Sequence, residues 1–326
     1  MKIKEQILLL LSSTEEFVSG EELSERFQVS RTAVWKNINA LREAGYEIES
    51  VTNRGYRLIS RPDLITEEEL HSTLHTGFTA KKIYFLPCVD STNKEAKRQA
   101  LVNAPNGSLF IAEEQQSGKG RLGRNWSSPA GTGLWFTLLL RPQSIPQQVT
   151  LLTLLAGLAV SKAIRAQTGC DAKIKWPNDV VIGSKKVCGI LTEMAAEMER
   201  INYVIIGIGI NVNQKEFPEE LRVKATSLLL ESGKPFRRTA LLQEVLTNFE
   251  TLLSQLKSSG PDALLEDYKK QCISLNRTVG FTRNGQPATG TAIDISREGE
   301  LIVRCENGET VPVFSGEVTV QGIYGQ

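Results

Sequence analysis

The run Gly118-Lys119-Gly120-Arg121-Leu122-Gly123-Arg124-Asn125-Trp126-Ser127-Ser128 constrains the fold of this chain more than any other stretch. Its first seven residues hold three glycines and three cations. Glycine lets the backbone reach positive φ and approach a ligand closely. Lysine and arginine neutralise phosphate or carboxylate oxygens. The glycines satisfy G-x-G-x-x-G, but the dinucleotide-binding reading of that pattern needs a helix to follow at once. Here Asn125 to Pro129 follows, then the strand-like run Gly133 to Leu140. The Rossmann reading therefore fails on context. With strand-like Leu109 to Glu114 before it, the run reads as a disordered, anion-gripping loop that leaves a sheet and closes over its ligand. A solvated surface loop, or a non-specific nucleic-acid contact, is the competing reading.

A chain of 326 residues is long for one domain and points to two or three. A net charge of +1 excludes a globally basic nucleic-acid coat, so any DNA binding must come from a local patch. The cysteines Cys88, Cys170, Cys188, Cys272 and Cys305 show no C-x-x-C spacing and are odd in number. That argues against a zinc site or a disulfide framework and fits a reducing compartment. With His71 and His75 as the only histidines, neither a histidine metal site nor a catalytic triad is expected. The apolar run Ile7 to Leu11 lacks the length and cleavage site of a signal peptide. Leu151 to Val160 is too short to span a membrane and reads as a buried core helix. The expectation is a soluble cytoplasmic protein without a membrane anchor.

Three segments follow, 1–60, 61–272 and 273–326. In the first, Lys4 to Ser12 reads as a helix, and Ser19 with Glu22 fits a capping box opening a second helix, Gly20 to Phe27. Ser30 caps a third, Arg31 to Ala44, which Gly45 ends and whose apolar positions Val34, Ile38 and Leu41 recur at helical spacing. Tyr46 to Val51 and Tyr56 to Ile59 alternate around Asn53-Arg54-Gly55, a β-wing. The order is that of a winged helix-turn-helix, whose second helix of the pair lies in the major groove. Ser30, Arg31, Thr32, Lys36 and Asn37 would face DNA, with Arg54 at the wing tip. A small helical protein-interaction module is the alternative.

Arg61-Pro62-Asp63 marks a linker. Beyond it, helices are expected at Asn93 to Asn103, Gln147 to Gln167, Arg238 to Lys257 and Pro261 to Lys270. Strands are expected at Leu109 to Glu114, Gly133 to Leu140, Lys173 to Trp176, Val180 to Ile182, Val187 to Met194 and Tyr203 to Ile210. Consecutive strands without intervening helices imply an α+β segment, a mixed, largely antiparallel sheet packed on helices. From Ser274 onward the pattern is purely β. Asn284-Gly285 and Asn307-Gly308 are hairpin turns, and the strands suit a small SH3-like barrel.

Four further stretches in the central segment carry chemistry. Lys175-Trp176-Pro177-Asn178-Asp179 ends a strand with an anchored turn, where Asp179 could bind magnesium or Asn-Asp could simply form the turn. Lys186 opens a strongly apolar strand, as a cation fixed in a cleft or as a solvated hairpin tip. Gly207-Ile208-Gly209-Ile210-Asn211 is a strand whose glycines mark close approach of a ligand or a bulge. Asp90-Ser91-Thr92-Asn93 caps a helix or hydrogen-bonds a small polar ligand head.

Taken in order, Ser91-Thr92-Asn93, Gln115 to Arg121, Lys175 to Asp179, Lys186 to Leu191 and Gly207 to Asn211 resemble the motifs of the biotin–protein ligases. With the winged helix, the resemblance is to the bifunctional class that also represses the biotin operon. It covers essentially the whole chain: winged helix, class II synthetase-like ligase core and C-terminal barrel. The family loop usually reads Gly-Arg-Gly-Arg-Arg-Gly-Arg, and this chain has Lys119 and Leu122 at two of its arginine positions.

The resemblance implies adenylation of biotin by ATP, with Mg2+, to biotinyl-5′-AMP, followed by transfer to a lysine of a biotin carboxyl carrier domain. By position, it implies that Ser91, Thr92, Asn93, Gln115, Lys119, Gly120, Arg121 and Lys186 bind biotin. It assigns Arg121, Arg124, Trp126, Asn178, Lys186 and Asn211 to ATP. Arg121, Lys186, Lys119 and Asp179 would carry the catalysis, Asp179 also as magnesium ligand. It further implies that the adenylate acts as corepressor, favouring a homodimer on palindromic operator DNA. A lipoate-type protein ligase, or a ligand-sensing repressor without ligase turnover, are the rival functions.

Overall fold

The computed structural model describes residues 2–142, 149–197, 200–283, 285–314 and 318–325. Two compact units emerge, one of Met1–His75 with Arg237–Ala240, the other of Thr76–Phe236 with Leu241–Gln326.

The first unit contains α1 (Ile3–Ser12), α2 (Gly20–Arg26), α3 (Arg31–Glu43), β1 (Glu47–Val51), β2 (Gly55–Ser60) and α4 (Glu67–Thr73). Side chains of Ser19 and Ser30 accept the N–H of Glu22 and Ala33, capping α2 and α3 as expected. The stripe Val34, Ile38 and Leu41 is fully buried with Ile7, Leu8, Leu11 and Leu23. The wing is an antiparallel β1–β2 hairpin. At Gly55, φ is +108°, and a Cβ would stand 2.1 Å from the Val18 carbonyl oxygen, so glycine is required there.

After the wing, α4 packs on α1, and the compact unit that contains the wing runs to His75. Arg61 and Asp63, both partly buried, pair with the buried side chains of Glu69 and Arg238. Arg61 donates to Glu69 Oε1 at 3.2 Å, Tyr46 donates its hydroxyl to Glu69 Oε2 at 2.8 Å, and Glu69 is fully buried. Arg238, itself 1% exposed, donates through Nε to Asp63 Oδ2 at 2.9 Å. A carboxylate buried this deeply persists only when paired and hydrogen-bonded.

The second unit holds β3 (Ile83–Val89), α5 (Thr92–Leu101), β4 (Ser108–Gln115), β5 (Gly133–Leu140), α6 (Val149–Thr168), β6 (Ala172–Lys175), β7 (Asp179–Ile182), β8 (Lys185–Glu197) and β9 (Arg200–Asn211). These strands form one sheet in the order β3-β4-β5-β9-β8-β7-β6. Only the β3–β4 pair is parallel, so the sheet is mixed and largely antiparallel, as expected. β5 is buried at every position, which explains its unbroken apolar sequence. α5 packs on β4, β5 and β9. Its Ala96 and Ala100 allow close approach to Phe110, Leu139 and Ile205.

α6 lies close to the helix expected at Gln147 to Gln167, but its apolar stretch is longer than Leu151 to Val160 suggested. It is long and apolar enough to cross a membrane by length and composition, yet 67% of its apolar window is buried inside the fold, packed against β6, β7, β8 and the later helix Asp262–Gln271. That is the setting of a core helix. Residues Gln147 and Gln148, expected to begin it, lie outside the described residues.

α7 (Leu228–Ser232), α8 (Arg238–Ser259) and α9 (Asp262–Gln271) follow. β10 (Thr278–Arg283), β11 (Gln286–Ile295), β12 (Leu301–Cys305), β13 (Thr310–Val313) and β14 (Thr319–Val320) then complete the chain. The last five form an antiparallel sheet in the order β13-β12-β11-β10-β14. The β12–β13 turn uses Gly308 at φ +82°, as expected. Of the other expected turn pair, Gly285 lies at φ +77°, and Asn284 lies outside the described residues.

Candidate active site and DNA-binding face

A cavity of about 650 Å³ opens in the second unit, lined by residues of β4, β6, β7, β8 and β9 and their loops. Every ligase-site residue expected from the sequence lines it: Ser91, Thr92, Asn93, Gln115, Lys119, Gly120, Arg121, Arg124, Trp126, Asn178, Asp179, Lys186 and Asn211. Residues up to 120 positions apart in the chain (91 to 211) are thereby brought to one place.

At one end, the start of α5 meets the end of β4. Gln115 Oε1 accepts from the Thr92 backbone N–H at 2.9 Å and from its hydroxyl at 3.1 Å, while Gln115 Nε2 donates to Ser128 at 2.8 Å. These fixed amides and hydroxyls suit a small, neutral, polar ligand head. Asn93 also lines the cavity, but its amide is committed to the fold. Oδ1 accepts from Thr137 at 2.7 Å, and Nδ2 donates to Glu193 at 2.9 Å. A Cβ at Gly207 would lie 2.0 Å from Asn93 Oδ1. Gly207 therefore makes room for Asn93 rather than for a ligand.

The glycine–arginine run is not irregular chain. Gly120 donates to the Arg124 carbonyl at 2.8 Å, Trp126 to the Gly118 carbonyl at 2.9 Å, and Lys119 Nζ to Asn125 Oδ1 at 2.7 Å. The result is a small hairpin whose tip turns through Leu122 at φ +54° and Gly123 at φ +73°. Local backbone pairing was masked in the sequence by the charge pattern. Leu122, at the rim, is 78% exposed, whereas Arg121 reaches inward to donate to Asn178 Oδ1 at 2.9 Å.

The opposite end is electrostatic. Lys186 Nζ lies 2.6 Å from Asp179 Oδ1, and the Tyr324 hydroxyl donates to Asp179 Oδ2 at 2.7 Å. Burial opposes the charge on Asp179, but Lys186 and Lys175, with the Lys186 and Tyr324 hydrogen bonds, hold its carboxyl below the usual carboxylate range. A β-bulge aims Lys186 inward. Val180 pairs with Cys188 and Val181 with Lys186, which leaves Val187 as the extra residue. Lys186 and Gly189 would face opposite sides of a regular strand. With the bulge they share one, and a Cβ at Gly189 would stand 3.0 Å from Lys186 Nζ.

Trp126 lies over the paired glycines Gly189 and Gly209, where a Cβ on Gly209 would come within 2.5 Å of the indole nitrogen. Lys186 Nζ sits 5.2 Å from its ring centroid. Asn211 is 4% exposed and donates to the Thr226 carbonyl at 3.0 Å, which ties the end of β9 to the following loop. Lys119, Arg121, Arg124, Lys175, Lys186 and Lys224 line the cavity against the carboxylates of Asp179 and Glu216. Such a cavity can hold two anionic reactants together.

On the first unit, the exposed face of α3 carries Arg31, Thr32, Trp35 and Lys36. Arg31 pairs with Glu21 at 2.8 Å, Ser30 is spent on its cap, and Asn37 donates to its own helix at the Ala33 carbonyl, 2.8 Å away. Arg54 stacks on Phe17 at 4.3 Å, with Arg57 4.6 Å from the same ring centroid. Sequence reasoning passed over Trp35, 54% exposed. Its signal was an aromatic lying outside the Val34, Ile38 and Leu41 stripe. Tyr324 was also missed, and no motif around it gives it away.

Family models match three stretches: the Biotin/lipoate A/B protein ligase family at residues 85–211, an HTH domain at 4–57, and the Biotin protein ligase C terminal domain at 274–320. The chain belongs to the biotin–protein ligase family. Within that family it is similar along nearly its whole length to bifunctional ligase/repressors. The bifunctional ligase/repressor BirA of Bacillus spizizenii is 42% identical over 94% of each chain, and that of Escherichia coli 28% identical over 96% of each. Among solved structures, the biotin protein ligase from Aquifex aeolicus in complex with biotin and ATP matches 74% of this chain and 99% of its own, with a TM-score of 0.64 and 34% identity.

Proposed function

We propose that this protein joins biotin to ATP, forming biotinyl-5′-AMP, then passes the biotinyl group to a lysine of a biotin carboxyl carrier domain, and that the adenylate-bound protein represses transcription. The observation that carries the reading is the single cavity in which neutral hydrogen-bonding groups at one end adjoin a cationic end.

In the first step a biotin carboxylate oxygen attacks the α-phosphorus of ATP, and pyrophosphate leaves. Two anions must meet, so the cost is electrostatic, and Arg121, Lys119, Lys186 and Arg124 offset it. No general base is required, because the carboxylate is already ionised. The fixed pair Thr92–Gln115, with Ser91, orients the ureido ring, and Trp126, Asn178 and Asn211 serve the nucleotide. In the second step the carrier's lysine amine attacks the acyl carbon, and AMP leaves. Closure of the Gly118–Arg124 hairpin shields the labile adenylate from water.

Magnesium belongs with the nucleotide in this scheme. No cluster of three or more His, Cys, Asp or Glu side chains that could hold a metal ion occurs among the described residues. Both oxygens of Asp179 already have partners in Lys186 and Tyr324. Asp179 therefore acts by placing Lys186, and an ion bound with the nucleotide would supply charge neutralisation. For repression, the α3 face with Arg31, Thr32, Trp35 and Lys36 enters the major groove and Arg54 meets the backbone. A homodimer formed by the adenylate-bound protein presents two such faces to a palindromic site. The protein works in the cytoplasm.

The test is ATP–pyrophosphate exchange with biotin and, separately, with lipoate. Exchange with biotin alone, lost in Lys186→Ala and Arg121→Gly, is expected. Exchange with lipoate alone would assign the cavity to the lipoate branch, and no exchange with either would leave a ligand-sensing repressor.

A further inference from the structure

Tyr324 stands in the final turn of the chain at φ +61°, flanked by Gly322 at φ +80° and Gly325 at φ +75°. A bulky residue in the left-handed region is uncommon and persists only where its surroundings over-determine it. Three contacts do so. Its backbone N–H donates to the Ser184 carbonyl in the β7–β8 turn at 2.9 Å. Its ring centroid lies 5.1 Å from Lys175 Nζ, and Lys175 in turn donates to the Val318 carbonyl at 2.8 Å. Its hydroxyl donates to Asp179 Oδ2 at 2.7 Å.

Asp179 is 8% exposed, and its other oxygen accepts from Lys186. A carboxylate turns readily about its terminal torsion, which is broad and roughly two-fold. The phenol fixes that rotor from one side, and Asn178 Nδ2, 3.3 Å from Oδ1, touches only the Lys186 side. Burial first, then the charge and hydrogen bond of Asp179, push the Tyr324 phenol above its ordinary range, so it stays protonated as the donor.

We propose that Tyr324 is a positioning residue for adenylation: it holds Asp179 so that Oδ1 faces Lys186, and thereby sets Lys186 before the anions arrive. The C-terminal segment thus contributes to the reaction through one hydroxyl, two residues from the chain end. The inference rests on the adenylation reading above.

The test uses the full chain in biotin-dependent pyrophosphate exchange, with Tyr324→Phe, Asp179→Asn and the double variant. Tyr324→Phe should lower kcat about tenfold, the loss of one hydrogen bond to a charged group, while KM for biotin stays within about twofold. The ureido end, which does not touch Tyr324, accounts for that split. In the Asp179→Asn background, adding Tyr324→Phe should change kcat by less than about twofold, because the group it acts through is gone. A Tyr324→Phe enzyme as fast as wild type, or losses that multiply in the double variant, would overturn the inference. Wild-type protein that fails to exchange would instead overturn the adenylation reading. Thermal melting reports whether Tyr324→Phe folds. If it melts early, the cycle is run at a temperature where melting shows all variants folded, with the same two outcomes.

Discussion

Replacing Gly207 by alanine tests the floor of the cavity at atomic scale. The new methyl would begin 2.0 Å from Asn93 Oδ1. Reaching ordinary contact at about 3.4 Å displaces the amide by about 1.4 Å, more than a hydrogen bond tolerates. Asn93 would lose its bonds to Thr137 and Glu193, now 2.7 and 2.9 Å long. The neutral bond contributes about 1 kcal/mol, and the bond to the partly exposed Glu193 about 1.5 kcal/mol. Alanine recovers about 0.5 kcal/mol relative to glycine in a strand. The net destabilisation is about 2 kcal/mol, which lowers Tm by about 4–8 °C in a unit of this size. Thr137 also lies 2.8 Å from Thr92 Oγ1, so the ligand-facing Thr92–Gln115 pair should loosen and KM for biotin should rise. Circular-dichroism melting and exchange kinetics measure both. A Gly207→Ala protein that melts with wild type and keeps its KM would refute the account of this floor.

Lys186→Ala should reduce pyrophosphate exchange by about 10²–10³, as expected for a cation that stabilises developing phosphate charge, and should also lower Tm, because it leaves the buried Asp179 carboxylate without its cation. Trp35→Ala should weaken operator binding about tenfold, measured by fluorescence anisotropy, and leave ligation unchanged; equal DNA affinity would remove Trp35 from the interface. Glu250 accepts from the backbone of Gly77, Phe78 and Thr79. Burial opposes its charge, but the Thr79 hydroxyl and those N–H groups outweigh it, so its carboxyl titrates below the ordinary range. Because the folded pKa is the lower one, the stabilisation is complete above the unfolded pKa and lost as pH falls through the folded value. Wild type should therefore out-melt Glu250→Gln near neutral pH, and the gap should close below about pH 4. A gap unchanged down to acid pH would contradict that sign. Arg238→Met should lower Tm, since it strands Asp63 without its buried guanidinium partner.

Much of the architecture was legible because local and global signals agreed. Ser19 and Ser30 cap the helices they were expected to cap, and the buried stripe of α3 follows its 3.6-residue period. The ligase motifs could be gathered from sequence because, taken in order, they resemble those of a known family. What stayed hidden was set by tertiary contact. β3 contains Pro87 and pairs on one side only, which fits an edge strand but breaks a strand pattern. α4 carried a start signal in Thr66 and Glu69, and Thr66 does cap Glu69 N–H. It was obscured by the preceding Arg61-Pro62-Asp63, which reads as a linker. No spacing rule reveals that Gly207 accommodates Asn93 or that Tyr324 reaches Asp179, because those partners lie 114 (207 − 93) and 145 (324 − 179) residues apart.

The central claim is that one cavity makes and keeps an acyl-adenylate. Protein mixed with biotin and ATP labelled at the α-phosphate, then freed of small molecules by gel filtration, tests it most directly. About one label per chain should travel with the protein only when biotin is present, and should be discharged as AMP when a biotin carboxyl carrier domain is added. Label that elutes free, or that binds equally without biotin, would contradict the account.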